Sequence, residues 1–272
     1  MISWLNRHRL VMPLMAGGVF IVLLAGPFRE DLLGWRTMAA AALLTAATVL
    51  AQTSMIVGEE RAALLAMENC DPEPLLNFSR DMAKAYPPGF LRKGQFWLGM
   101  KLNEMAALCD LGRLWDAGQV LEEIAPRLEQ MPEEMQVLVR INEAALRLMQ
   151  KRPQDAKLLL ESARADMAAL PMREMQRKRW TTAIDNCWWD YRLQTGGASQ
   201  ELCDQAQRRF GRAQDLRSQV AARLCLAQCL TGLGRTEEAR THLCFVEENA
   251  GGMEQLRREA EEVRKQMRQR EG

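Results

Sequence analysis

The side chains that could do chemistry are few, because the chain of 272 residues contains only two histidines and seven cysteines. Cys225 and Cys229 lie four residues apart, and His242 and Cys244 follow them. Thiolates and imidazoles bind zinc, but zinc sites usually hold paired ligands on a tight knuckle, whereas these two cysteines lie within a strongly helical pattern. We therefore interpret them as small buried side chains and expect no metal.

Nucleophilic or acid–base catalysis requires a base held beside the reacting group. His8 precedes a long apolar segment and His242 lies in a helical one, and neither has neighbours that suggest a catalytic triad. The glycines of "TGGAS" (195–199) belong to a turn and not to a strand–loop–helix phosphate site. The sequence therefore predicts a protein that is not an enzyme and that has no cofactor.

The first 58 residues differ sharply in charge from the rest of the chain, since they contain four of the 36 basic and two of the 35 acidic residues. Residues 10–28 and 37–58 contain no charge, and a short charged turn, "REDLLGWR", separates them. About 20 helical residues cross the hydrocarbon core of a bilayer. We therefore predict a membrane anchor over residues 1–58, with transmembrane helices at about 10–28 and 37–57.

A signal peptide is the alternative interpretation of the first apolar segment, with "NRHR" (6–9) as its basic start. The segment is long for a signal peptide, no convincing cleavage site follows it, and a second apolar segment comes at once. Arg7 and Arg9 before the first segment favour a cytoplasmic N terminus only slightly over Arg29 and Arg36 in the turn. Scattered cysteines of odd number are typical of a reducing compartment. We expect a two-pass integral protein of the cell membrane, with its large C-terminal domain in the cytoplasm.

From residue 59 onward, apolar residues recur at helical spacing, and one phrase occurs twice, as "LCDLGRLWDAG" (108–118) and "LTGLGRTEEAR" (230–240). Glycine in this phrase is predicted to end a helix with left-handed backbone angles. The following alanine is predicted to mark the closest crossing of two antiparallel helices. Three segments share this register of helix centre, turn and alanine: Met105, Gly112 and Ala117; Ala144, Lys151 and Ala156; and Ala227, Gly234 and Ala239.

These segments resemble the tetratricopeptide repeat (TPR), and the resemblance covers about residues 97–250. It rests on Trp97, Leu98, Met105, Ala117, Pro132, Ala144, Ala156, Pro171, Ala227 and Ala239. The first two units are 39 residues apart, whereas the family period is 34, and Leu108 and Leu121 replace aromatic residues, so other helical-hairpin solenoids also fit. We predict an all-α chain with a TPR-like α-solenoid of about five hairpins over residues 59–252, then a charged capping helix or tail over 253–272.

The resemblance implies a concave groove lined by the first helix of each hairpin. By position, its residues are Leu102, Ala106, Cys109, Ile141, Ala145, Leu148, Leu224, Gln228 and Thr231. Chaperone-binding members of the family hold a terminal carboxylate there with Lys and Asn. Because these positions are mostly apolar in this chain, we expect the groove to bind an apolar or amphipathic segment of a partner protein.

Trp189 is a further candidate for the groove. It lies off the helical stripe of Trp180, Ile184, Trp188 and Tyr191, so it could anchor a bound peptide, and packing against a neighbouring repeat is the alternative. The basic runs "REMQRKRW" (173–180) and "QRRFGR" (207–212) are interpreted as solvated helix faces. We therefore expect no nucleic-acid partner.

The sequence thus predicts a membrane-anchored scaffold for protein–protein interaction, whose TPR-like groove binds a partner polypeptide. The alternative is an accessory subunit of a membrane enzyme or transport complex, in which the transmembrane hairpin is the working interface.

Overall fold

The computed structural model describes residues 35–88 and 94–271. These residues form eleven helices and no strand, which confirms the all-α prediction for the described part of the chain. The helices are α1 (Trp35–Glu68), α2 (Glu73–Ala85), α3 (Gln95–Asp110), α4 (Leu114–Leu128), α5 (Glu133–Met149), α6 (Pro153–Ala169), α7 (Glu174–Gly196), α8 (Gln200–Phe210), α9 (Leu216–Gly232), α10 (Thr236–Asn249) and α11 (Glu254–Glu271). The chain divides into two compact units, residues 1–62 and 63–272.

The first unit contains most of α1, a helix of 34 residues that covers the second apolar segment. Several large apolar side chains of α1 are exposed, including Leu43 at 70% and Leu50 at 68%. The predicted transmembrane helix at 10–28 lies outside the described residues. The second predicted transmembrane helix, at 37–57, lies within the described residues, and across residues 35–88 and 94–271 no helix combines the length and the apolar character needed to cross a membrane.

The second unit repeats one backbone turn. Gly112, Lys151 and Gly234 have φ angles of 67°, 59° and 77°, so all three residues at the predicted turn position are left-handed. At each turn, this residue donates its N–H to the carbonyl three residues back, and the arginine after it donates to the carbonyl five residues back. This pair of hydrogen bonds is the Schellman motif, which satisfies the last carbonyls of a helix. Between α1 and α2, Cys70, with φ of 63°, donates its N–H to the carbonyl of Met67, and Asp71 donates to the carbonyl of Ala66, so the turn occurs a fourth time among the described residues.

The alanines predicted at the helix crossings are buried. Ala117, Ala156 and Ala239 have no exposed surface, and the helix centres at the same register, Met105, Ala144 and Ala227, are buried as well. The helices of each pair, α3 with α4, α5 with α6 and α9 with α10, pack against each other. Contacts of α5 with α3 and α7 join one hairpin to the next. The side chains at the crossing are small enough to let the helix backbones approach closely.

Side-chain caps begin the helices of the more divergent region between these hairpins. The hydroxyl of Ser199 accepts a hydrogen bond from the N–H of Leu202 at 3.3 Å, at the start of α8. Asp215 accepts one from the N–H of Ser218 at 2.7 Å, at the start of α9. Each cap satisfies a helix N–H that has no partner within the helix. These caps fix where α8 and α9 begin, and both helices contribute to the candidate site.

The last helix, α11, brings the two ends of the second unit together. Its apolar side chains Ala260, Val263 and Met267 are buried, and α11 packs against α9, α10 and α3. Arg258 donates to the carbonyl of Gly112 at 3.2 Å. The N–H of Gly252 donates to the carbonyl of Cys70 at 2.8 Å. The polar C-terminal segment is therefore a helix that packs against both early and late hairpins of this unit.

Replacing Gly234 with alanine tests the left-handed turn. No atom lies within 4 Å of the position that the new Cβ would occupy, so the expected cost is the backbone strain alone. Gly234→Ala should lower the free energy of unfolding by about 1–2 kcal/mol, the cost of a left-handed alanine. The measurement is urea unfolding of the full chain in detergent, monitored by circular dichroism.

The matched control is Gly118→Ala, because Gly118 lies inside α4 and also has open space around it. Alanine is the better helix former, so this variant should gain about 0.5–1 kcal/mol. If both substitutions changed stability in the same direction, the interpretation of the turn would be wrong.

Candidate partner-binding cavity

A cavity of about 1630 Å³ lies between α5, α7, α9 and α11, and the end of α8 completes its wall. Three of these helices, α5, α7 and α9, are each followed by a second helix after a short turn. Of the helices to which the sequence assigned the groove, α5, α7 and α9 therefore line the cavity, whereas α3 contributes only Asp110 among the described residues. Pockets for small molecules usually measure about 300–1,000 Å³, so the volume suits a larger ligand.

The residues predicted for the groove divide into two sets. The cavity wall includes Ile141, Ala145, Leu148, Trp189, Leu224 and Gln228, but not Leu102, Ala106, Cys109 and Thr231. Of all ten, only Ala106, Ala145 and Gln228 are partly exposed, and the other seven side chains are buried. Most of the predicted apolar positions therefore hold the helices together, and they offer little surface to a ligand.

Trp189 is a core residue, which agrees with the alternative that it packs against neighbouring helices and leaves it little surface to anchor a peptide. It is 2% exposed, and its indole N–H donates to the carbonyl of Leu202 at 3.0 Å. The physical reason is that α7 is covered on two faces. Ile184 packs into the cluster formed with α5 and α6, while Trp189 packs with α8 and α9. A single apolar stripe in the sequence did not indicate the second covered face.

Trp188, which the sequence placed in the core stripe, is partly exposed and lines the cavity. Its ring packs edge-on against Tyr191, with 5.2 Å between ring centres. Its indole Nε1 is buried and has no hydrogen-bond partner among the described residues. A buried donor without an acceptor costs about 1–3 kcal/mol, so an acceptor supplied by a ligand would be favourable here.

The cavity wall contains more basic than acidic side chains, eight against five. Four of the five acidic groups have partners. Asp110 pairs with Arg217, Asp185 with Arg164 and Glu262 with Lys151, and Glu259 accepts hydrogen bonds from Gln228 and Gln255. Among the basic groups, Arg192 pairs with Glu201, and Arg270 donates to the carbonyls of Thr231 and Gly232. Within the described part of the chain, the side chains of the three remaining arginines of the wall make neither an ion pair nor a hydrogen bond: Arg208, Arg209 and Arg212.

Arg208 and Arg209 lie in the last turn of α8 and Arg212 follows it, so we call the three the α8 arginines. They belong to the basic run that the sequence predicted to be a solvated helix face. Arg208 and Arg212 are exposed, whereas Arg209 is half-buried. The guanidinium carbon of Arg209 lies 5.6 Å from the centre of the Trp189 ring, within the range of a cation–π contact. The basic run gave the only sequence signal for this part of the wall, and its position against α7 was needed to interpret it.

Asp190 is the fifth acidic group of the wall, and no ion-pair partner lies beside it among the described residues. Burial raises its pKa from 3.8 to about 7, and the nearby positive charge of Arg209 opposes this rise only in part. Nothing in the sequence distinguished Asp190 from other helical aspartates. It is a carboxyl group that the fold holds close to its titration range at neutral pH.

Cysteine and histidine chemistry is not assembled in this region. Burial raises the pKa of Cys225 to about 12, so its thiol stays protonated and is a poor nucleophile. Burial lowers the pKa of His242, whose ring lies against Phe210 with 6.4 Å between centres. Among the residues that the structure describes, no group of three or more potential ligands could hold a metal ion. His8 lies outside those residues.

No family model, curated protein or solved structure matches this chain. The resemblance to the TPR family therefore rests on the residues that carry it, and the interpretation of the cavity rests on its geometry and charge.

Replacing Asp190 with asparagine should make the protein more stable at neutral and alkaline pH. Because the pKa is higher in the folded state than in the unfolded state, the folded protein binds this proton more tightly. The wild-type protein therefore loses stability as the pH rises from about 4 to about 7. Asp190→Asn avoids this loss and should raise the free energy of unfolding at pH 8 by about 1–3 kcal/mol.

Urea unfolding of the full chain at several pH values checks this prediction. The advantage of Asp190→Asn should be near zero at about pH 4 and should grow up to about pH 7. Asp185→Asn is the matched control on the same helix, because Asp185 is exposed. An advantage of Asp190→Asn that did not change with pH would show that the carboxyl group is not desolvated.

Proposed function

We propose that this protein is a membrane-anchored scaffold that binds a segment of a partner polypeptide in the cavity. The observation that carries the proposal is the size and position of the cavity. A volume of about 1630 Å³ between α5, α7, α9 and α11 exceeds that of usual small-molecule pockets. A groove between helices is a common place for a peptide helix to bind.

The proposal includes a TPR-like α-solenoid as the binding domain. It is supported by the Schellman turns at Gly112, Lys151 and Gly234 and by the buried alanines at the same register in each hairpin. Repeated hairpins of this kind bury their apolar faces against their neighbours, and their first helices commonly form an extended binding surface. Enzymatic activity is not part of the proposal, because the titratable side chains of the cavity suggest no nucleophile with its base.

Residues 10–57 would attach this domain to the membrane as a two-helix hairpin. The proposal is supported by the two uncharged segments, 10–28 and 37–57. It is also supported by the exposure of Leu43 and Leu50 on α1, since large exposed apolar side chains favour a nonaqueous surrounding. The domain that follows would then face the cytoplasm, and attachment would raise its local concentration near partners at the same membrane.

Extraction of membranes tests the anchor. The full chain, expressed in bacteria, should stay in the membrane pellet after washing with high salt and with alkaline carbonate, and detergent should release it. The double variant Leu43→Arg and Leu50→Arg should lower the pelleted fraction, because an arginine at the centre of a bilayer-spanning helix costs about 2.5–3.5 kcal/mol. Release of the unaltered chain by salt alone would contradict the anchor.

Site-specific photocrosslinking tests the binding cavity. A photoreactive amino acid at Ala145, a partly exposed residue of the cavity wall, should crosslink the partner in native membranes. The same group at Leu158, which is 68% exposed on α6 and outside the cavity, is the control and should not. Crosslinks only from a probe at Leu43 of α1 would instead favour the accessory-subunit function, in which the hairpin is the working interface.

A further inference from the structure

We propose that the polypeptide segment bound in the cavity is acidic and that the α8 arginines, Arg208, Arg209 and Arg212, bind its carboxylates. The proposal rests on the proposed function, because it names the chemistry of the partner for the same cavity. It also changes the expectation from the sequence, in which the groove was mostly apolar.

The first argument is the charge that the cavity leaves without a partner. Three pairs join acidic and basic groups of the wall, and the fourth acidic group, Glu259, accepts hydrogen bonds from two glutamines. The charges that remain are those of the three α8 arginines and of Arg270, which donates to backbone carbonyls, against those of Glu259 and of Asp190, whose charge burial disfavours. A ligand that enters this cavity therefore encounters a surplus of positive charge. Complementary negative charge on the ligand speeds association and selects the partner.

The second argument is that two hydrogen-bond donors of the cavity wall have no acceptor among the described residues. The Nη1 atom of Arg209 is buried and has no hydrogen-bond partner among the described residues, although the same guanidinium lies over the Trp189 ring. The indole Nε1 of Trp188, in the same cavity wall, is also buried without a hydrogen-bond partner among the described residues. Buried donors are usually paired, and a guanidinium binds a carboxylate through charge-assisted hydrogen bonds. Both groups therefore favour a ligand that brings acceptors.

The third argument separates an acidic peptide from a nucleic acid, which is the other polyanion that arginines bind. The wall contains five carboxyl groups, and the whole chain has a formal net charge of +1. Continuous phosphate backbones are bound by surfaces on which basic residues clearly predominate. A peptide with a few carboxylates can place them at the α8 arginines and keep uncharged residues beside the acidic groups of α7 and α11.

The fourth argument is the arrangement of the wall around the α8 arginines. Trp188 supplies a partly exposed aromatic ring, and Ala145 supplies a small apolar contact from α5. Aromatic and arginine side chains are enriched at protein interfaces and dominate many of them. The expected ligand is therefore an amphipathic segment, with acidic residues toward α8 and apolar residues toward α5 and Trp188.

A peptide library tests the proposal with defined probes. Random 12-residue peptides displayed on phage would be selected on the detergent-solubilised full chain, and the selected peptides would be synthesised with a fluorescent label. We expect Asp and Glu to be enriched in the selected pool. In fluorescence anisotropy, replacing the Asp and Glu residues of a selected peptide with Asn and Gln should weaken binding about tenfold or more.

Variants of the protein locate the effect. The double variant Arg208→Gln and Arg212→Gln changes only exposed side chains, so it should fold, and it should weaken binding of the acidic peptide about fivefold to tenfold. It should change binding of the Asn/Gln peptide little. The matched control is Arg179→Gln on α7, because Arg179 is exposed and outside the cavity wall. Arg209→Gln should add a further loss, with circular dichroism confirming that this variant keeps its helices.

The outcomes distinguish the two proposals. Selection of no binding peptide would overturn the proposed function and this inference together. Peptides that bind in the cavity without enrichment of acidic residues, or whose affinity is equal for the double variant, would overturn the inference alone. A labelled single-stranded DNA or RNA oligonucleotide that bound more tightly than the acidic peptides and displaced them would show that the α8 arginines serve a nucleic acid.

Discussion

The left-handed residue that ends the first helix of a hairpin is the constraint on which the second unit depends. The Schellman bonds at Gly112, Lys151 and Gly234 stop one helix and set the start of the next within four residues. Because the turn has the same length each time, the alanine five residues later always meets the crossing point of the pair. The narrow crossing then determines how close the helix backbones lie, and the stacking of one hairpin on the next follows from it. The cavity is a product of this stacking, since its walls come from helices that the turns have aligned.

The charged side chains of the cavity wall lie where this packing leaves the helices uncovered. Burial of α7 on two faces puts Trp189 in the core and leaves Asp190, the next residue, at the edge of the cavity. The cost of keeping a partly desolvated carboxyl group there is reflected in its raised pKa. Arg209, in the last turn of α8, lies over Trp189 and near Asp190 of α7, so the two helices bring an aromatic ring, a cation and an acid into one wall.

The repeat was predictable from the sequence because its signals are local. A turn residue seven positions after a helix centre, glycine in two hairpins and Lys151 in the third, and an alanine twelve positions after it indicate a hairpin, and the buried positions Ala144 and Ala156 agree with that register. The cavity wall was less predictable because it depends on which face of each helix finds a neighbour. Leu102 and Cys109 were placed in the groove by position, but neighbouring helices cover them. The α8 arginines were visible in the sequence as a basic run, yet only the packing of α8 beside α7 connects them with a cavity.

The contact between the two ends of the second unit limits how this architecture can change. Gly251 lies so close to the first hairpin that a Cβ atom there would come within 2.7 Å of the carbonyl oxygen of Cys70. An open array can lengthen or shorten by duplicating or deleting a hairpin, because each repeat contacts only its neighbours. Here the insertion of one more hairpin would separate Cys70 from Gly252 and Arg258 from Gly112, and α11 would lose its place against α3. This contact between the two ends thus constrains the number of hairpins that the second unit can contain.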